Sequence, residues 1–522
     1  MATDPSHRVS HRLHSIAGDS QLWKSAYYNR FVRPRASRIP GIRDEASLAD
    51  RLHFSSKASR WLHDETLVQR GSETDWKRQY KLRHNWARGS CDVQEIEVAE
   101  QAPIPPLLVQ LHEGIAVTVS ASEGLCAWSV TGEQNLVAAS PLTLDGLPPP
   151  LVPRPTSLAI DSPSAADARR LTVVVGFDDG RFSLYEREGD EATFRPRYTH
   201  APSSNGMISA MAFSSPYLLT LTEGRLLSLY TFTISSESGK DRPVLDPPRL
   251  LSSLKSHTVW PPLTSSLRVN SGVIVASIAY ALPTYLSGWS VGLQELRIAA
   301  DGAIMDSRLA SAVSAGFTPL SPALSPSSSP AYAPSPPDRS AGPVSKLALT
   351  KPTSLSYTHP YLLASHPDNT LTLYLVTSTS SQLVVSSGRR LWGHTSSVSG
   401  AHVGGRGKAV SVSSRGDELR VWELEGGIRT AASRRRWPAG EMSVQVRVER
   451  REATGASRAS RAKSSAADGL EVVSPQGLAA ALGKGLGEVR VTRGWVGFDE
   501  EKVVVLREKA RGRQALFVYD FT

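Results

Sequence analysis

The chain has 522 residues, 40% of them hydrophobic, with 39 glycines and 35 prolines. That is enough apolar material for one large core or several smaller ones, in a composition suited to many short strands and loops. The formal charge of +10 suits nucleic acid, acidic proteins or phosphorylated proteins as partners. Two cysteines, Cys91 and Cys126, cannot build a disulfide framework, and the N-terminus is polar, so the chain is expected to be intracellular, cytoplasmic or nuclear.

In chain order, Val9, Leu13 and Ile16 fall on one helical face, Gly18 stops that helix, and Asp19 or Ser20 caps the next. Leu22, Trp23, Ala26 and Tyr27 then form a second apolar face. Phe31 to Ile42 reads as loop, with Pro34, Pro40 and Gly41. The stretch from Trp61 to Arg88 reads as helix, with Trp76, Tyr80 and His84 four residues apart. Asp92 to Val98 alternates as a strand.

From there one unit recurs: an apolar strand, a two-residue polar turn, an alternating strand and an aromatic. Glu123-Gly124 leads to Trp128, Asp179-Gly180 to Tyr185, Glu223-Gly224 to Tyr230, Asp368-Asn369 to Tyr374 and Gly416-Asp417 to Trp422. The turns use residues that tolerate positive φ in tight hairpins, and the alternation puts one face of each strand into the core. Asn270 to Gln294 holds no charged residue, about the length of a bilayer span, but Pro283 and several hydroxyls break it. Two buried strands joined by a turn are the expectation there. Adding this irregular unit and the C-terminal Tyr519-Asp520 gives about seven units, within the ~4–8 blades of propellers. The Asp92–Val98 strand pairing with the last of them would close the ring.

Two stretches read as disordered inserts, residues 310–346, rich in Ser, Pro and Ala, and residues 450–468. In the first, Thr318, Ser321, Ser325, Ser329 and Ser335 each precede proline and are candidate phosphorylation sites. Arginines gather at Arg33, Arg35, Arg38 and Arg43, at Arg434 to Arg436, and between Arg447 and Arg461.

Leu391 to Leu424, with Gly393-His394 near its start and Trp422-Glu423 at its end, resembles a WD repeat. The resemblance implies a stiffening hydrogen-bond network of His394, one of Ser411 or Ser413, Asp417 and Trp422, with Gly416-Asp417 in reverse of the usual order. The segment around Ile16-Ala17 followed by Leu22-Trp23-Lys24 resembles the second half of an F-box. Asp75 to Cys91 resembles the helix joining F-box and propeller in fungal F-box/WD-repeat proteins. The chain is thus similar to that family with its F-box truncated at the N-terminus. The organisation expected is 1–30 partial F-box-like helices, 31–90 linker with helix, and 91–522 a mostly β WD-repeat propeller.

The resemblance implies a substrate-recognition subunit of an SCF-type cullin-RING ubiquitin ligase. A Skp-type adaptor would sit on Val9, Leu13, Ile16, Leu22 and Trp23, with the cullin scaffold beyond it. The propeller would hold the target, phosphorylated targets being read by arginines through bidentate pairing. The alternative is a WD-repeat interaction scaffold without ligase association. Nucleic-acid binding ranks third, for want of a basic stripe interleaved with aromatics. No membrane, metal or cofactor is expected, and the chain is not expected to be an enzyme. Gly288-Trp289-Ser290-Val291-Gly292 matches G-x-S-x-G, but lacks the following helix and an oxyanion segment, and Gly407-Lys408-Ala409 and Gly483-Lys484-Gly485 lack the hydroxyl of a phosphate loop.

Overall fold

The computed structural model describes residues 17–32, 75–132, 136–142, 153–161, 170–189, 191–232, 234–235, 244–245, 247–255, 262–270, 272–284, 288–312, 351–404, 407–414, 418–424, 443–448, 494–509 and 512–522. Among the described residues two helices, α1 (Ser20–Tyr27) and α2 (Trp76–Arg88), precede a seven-bladed β-propeller. The first six blades fall within residues 108–140, 155–199, 208–255, 262–311, 354–392 and 398–445. Each is an antiparallel meander running from the centre outwards. The seventh takes three strands from residues 496–520 and its outermost strand from Ser90–Ala99. The innermost strands of successive blades abut one another around the full circle.

The buried side chains divide into seven clusters, one for each seam between neighbouring blades. This corrects the expectation of one buried face per strand. In blade 2, Val173 and Val175 enter the seam with blade 1, while Val174 between them enters the seam with blade 3. In blade 7, Val503 and Val505 face blade 6, and Val504 faces blade 1. Period-two alternation therefore feeds two cores, and the second strand of a blade reads as a continuous apolar run. Each such side chain contributes about 1.5–3 kcal/mol by leaving water.

Closure is made by the N-terminal strand. Ser90–Ala99 pairs antiparallel with Gln514–Asp520, from Asp92 opposite Asp520 to Ala99 opposite Gln514. On its other edge Ser90 and Cys91 pair parallel with Arg447 and Val448, which follow the outer strand of blade 6. Gly89, at φ +70, makes this junction: a Cβ there would lie 2.5 Å from the Gln445 carbonyl oxygen. Only glycine gives both the left-handed turn and the close approach.

The charge-free stretch forms the two central strands of blade 4, Val273–Thr284 and Gly288–Ala299. Ser290 lies in the second, paired with Leu282, so no strand–turn–helix elbow exists around it. Among the described residues no helix is long and apolar enough to cross a membrane. Gly124 and Gly180 take the expected left-handed conformation, but at Glu223-Gly224 it falls one residue later, on Arg225. Residues 310 and 311 end the outer strand of blade 4, Ile304–Ser311. The Ala312 backbone N–H donates to the Val291 carbonyl (3.0 Å); the remainder of the first expected insert, 313–346, with Thr318, Ser321, Ser325, Ser329 and Ser335, lies outside the described residues, as does the insert at 450–468.

Ile96, on the closing strand, is buried in the seam between blades 7 and 1, while Leu309, on the edge of blade 4, is 63% exposed. Ile96→Ala is expected to cost about 2–5 kcal/mol in urea unfolding, and Leu309→Ala about 0.5 kcal/mol or less. Equal effects would contradict closure through Ser90–Ala99.

Candidate functional site

The two ends of the propeller carry different things. At the end formed by the turns between first and second strands sits the helical layer. Asp75 caps α2 by accepting from the Arg78 backbone N–H (2.9 Å), and the helix then runs to the left-handed Gly89. Its Trp86 is buried, stacked on Phe521 with ring centroids 4.0 Å apart. The Trp86 indole N–H donates to the Glu500 carbonyl (3.0 Å), and the Lys408 ammonium stands 4.3 Å from the ring centroid. Asn85 donates to the Phe521 carbonyl (2.8 Å), and Arg78 pairs with Glu501 (2.7 Å). With Leu82 buried in the seam between blades 6 and 7, α2 is bolted to the body rather than tethered to it.

Helix α1 is capped by Asp19, which accepts from the Gln21 N–H (2.9 Å), and continues as a π-helical turn, Tyr28–Val32. It packs on α2 through aromatics: Tyr27 on Trp76 (5.5 Å), Phe31 and Trp23 on Tyr80 (5.4 and 5.3 Å). Of the residues expected to hold an adaptor, Val9, Leu13 and Ile16 lie outside the described residues. Leu22 is exposed (44%). Trp23 is turned inward: it packs on Tyr80, and its indole N–H donates to the Ala17 carbonyl (2.7 Å).

In blade 6 the Ser411 hydroxyl joins His394 Nε2 (2.6 Å) and accepts from the Trp422 indole N–H (2.7 Å). Ser411 is the hydroxyl at the centre. Ser413 braces the turn instead, its hydroxyl accepting from the Glu418 N–H (3.1 Å). Asp417 lies outside the described residues, and among those described the carboxylate that meets the network is Glu418. Its Oε2 stands 3.4 Å from His394 Nδ1 and accepts from the Thr395 backbone and hydroxyl (2.8 and 2.9 Å), while Oε1 accepts from Arg420 (2.6 Å). Burial alone would raise the Glu418 carboxyl. The bonds from Thr395 and Arg420, with His394 beside it, outweigh burial and hold it below the ordinary glutamate range. The pattern recurs in blade 1, where the Trp128 indole donates to Thr118 (2.9 Å) at the same strand positions.

The opposite end carries the turns between second and third strands. Three arginines on or beside these turns are already neutralised: Arg181 pairs with Asp179 (2.5 Å), Arg390 with Asp368 (2.6 Å) and Arg420 with Glu418 (2.6 Å), whereas Arg225, on the blade 3 turn, is exposed. An acid-x-Arg spacing marks two of these pairs in the sequence. Away from these turns, a further cluster between blades 4 and 5 left no local signal. Glu295, fully buried, accepts from Arg268 (3.1 Å), Arg308 (2.9 Å) and the Ser378 hydroxyl (2.7 Å), which brings blades 4 and 5 together. Of the arginines expected to read phosphate on the propeller, Arg181, Arg390 and Arg420 are occupied by carboxylates of their own chain.

Residues 91–522 match the family model described as F-box protein pof12 beta-propeller. No curated protein matches the chain. Among solved structures, the chain is similar to the WD40 beta propeller domain of Doa1, at 12% identity over 81% of this chain and 95% of that one, with a TM-score of 0.36. U3-55K is 9% identical over 82% and 98%, with a TM-score of 0.40, and Saccharomyces cerevisiae Sqt1 is 10% identical over 65% and 86%, with 0.34.

Trp422→Ala removes a fully buried indole and is expected to cost about 3–5 kcal/mol, with His394→Ala costing less, both read by thermal melting. Since the Glu418 pKa is depressed on folding, its contribution is complete above the unfolded value of about 4.3 and is lost as pH falls towards the folded one. The stability gap between the parent and Glu418→Gln should therefore be widest near neutral pH and shrink below about pH 4. A gap that grows on acidification would contradict the network.

Proposed function

Because the chain belongs to the F-box protein pof12 beta-propeller family, we propose that it is the substrate-recognition subunit of an SCF-type cullin-RING ubiquitin ligase. In this reading a Skp-type adaptor docks on the helical layer and a target protein on the far end of the propeller. The observation that carries it is the fixed attachment of α2: stacking, two side-chain bonds to backbone carbonyls and an ion pair hold one helix against one end of a rigid ring. Ten residues of closing strand, about 33 Å long, separate that helix from the opposite end. A receptor that must present a target at a set distance from a ligase needs such a strut, and a propeller's loops supply variable contacts on a rigid frame.

A second reading, a WD-repeat interaction scaffold without ligase association, is favoured by one feature. Trp23 is used inside the helical layer, which leaves Leu22 as the exposed apolar side chain of α1.

Titrating the full chain with a purified Skp-type adaptor separates the two. The ligase reading expects saturable binding that Leu22→Asp weakens about tenfold or more, since a charge buried in an apolar contact without a partner is costly. The melting curve of that variant should match the parent, because Leu22 is exposed. Absence of binding by a well-folded chain would favour the scaffold, and binding indifferent to Leu22→Asp would place the adaptor contact away from Leu22.

A further inference from the structure

At the end of the propeller opposite α2, the segment leaving the closing strand and the turn between the second and third strands of blade 1 bound a groove of about 330 Å³. Glu100, Gln101, Pro103, Ile104, Ser122 and Glu123 line it. Ile104 is 68% exposed, an aliphatic side chain left in water beside the groove. Glu100 and Glu123 are both exposed, and neither has a cationic partner among the described residues. The neighbouring cations are engaged elsewhere: Lys509 with Glu95, and Arg513 with Glu97 (3.3 Å). On a chain of net charge +10, this groove is locally negative and partly apolar.

The turn carrying Glu123 is braced from behind. The Glu123 backbone N–H donates to the buried Ser120 hydroxyl (2.9 Å), and Gly124, at φ +78, lets the chain pass where a Cβ would lie 2.5 Å from the Ser140 carbonyl oxygen. A carboxylate presented on so fixed a turn loses little freedom when it meets a partner.

We propose that this groove is a recognition site for a short peptide segment of a target protein in which a lysine or arginine adjoins an aliphatic residue. The cation lies against Glu100 and Glu123, and the aliphatic side chain covers Ile104 and Pro103. Phosphorylated segments are disfavoured there, because like charges placed together repel. This names the substrate class of the receptor proposed above and rests on the propeller being its target-binding part.

The test is a selection of random twelve-residue peptides displayed on phage against the immobilised full chain, with enriched peptides then synthesised and titrated by fluorescence anisotropy. Enrichment of Lys or Arg beside Leu, Ile, Val or Met is expected. Binding should weaken about tenfold in the double variant Glu100→Lys/Glu123→Lys and several-fold in Ile104→Ser. Glu188→Lys, an exposed change at the other end, should leave it unchanged. Matching melting curves check that all variants fold. No enrichment, enrichment of acidic peptides, or affinity indifferent to the double reversal would overturn the proposal. Peptide binding without adaptor binding would uphold the groove and overturn the ligase reading; adaptor binding without peptide enrichment would do the reverse.

Discussion

Ring closure through Ser90–Ala99 is the constraint on which the other features depend. A propeller has no central core to hold it; its apolar surface is shared among seven seams, and each blade is buried only if both neighbours are present. Without an outer strand, blade 7 would expose the edge of Gln514–Asp520 and its seam with blade 1 would lose Ile96 and Val98. The strand that prevents this comes from the N-terminal side, so the helix just before it is drawn onto the ring. Closure and helix placement are one event.

That coupling gives the molecule a direction. Helix α2 ends at Gly89, the strand begins at Ser90, and its far end opens onto Glu100 and Ile104. What binds the helical layer and what binds the turns must stand on opposite sides of the disc. The charges follow the same division. Between Trp76 and Arg88 the helix carries Lys77, Arg78, Lys81, Arg83 and Arg88 and no acidic residue. At the other end Arg181, Arg390 and Arg420 are each paired with a carboxylate, and the carboxylates of the blade 1 groove have no such partner among the described residues.

Much of the architecture was legible in the sequence, because hairpin turns and strand alternation are local signals. The blade count, the central hairpin of blade 4 and the pairing of the N-terminal strand with the last blade all followed from them. Details set by three-dimensional register did not. The WD-repeat resemblance names Asp417, which lies outside the described residues, and gives no sign of Glu418, the carboxylate found beside His394, where Ser413 exchanges hydrogen bonds with it. At Glu223-Gly224 the left-handed turn conformation falls one residue on, at Arg225. Glu295 carries no local sequence signal, since its partners, Arg268, Arg308 and Ser378, are scattered over two blades. The F-box resemblance names Trp23 as an adaptor contact, and amphipathic spacing shows which face is apolar but not what packs on it. Tyr80, fifty-odd residues away, covers it.

The helical layer and the turn-bearing end form one rigid body with fixed separation. The most direct test of that rigidity is a spin-label distance between Ser25→Cys on α1 and Ser122→Cys beside the groove, both exposed positions. The native thiols are buried, and burial, with Glu123 nearby, pushes Cys126 up to about 11, so labelling should go to the introduced sites. A single narrow distribution centred beyond about 30 Å is the expected result. A broad or bimodal distribution would show that the helices swing free of the propeller, and would contradict the account.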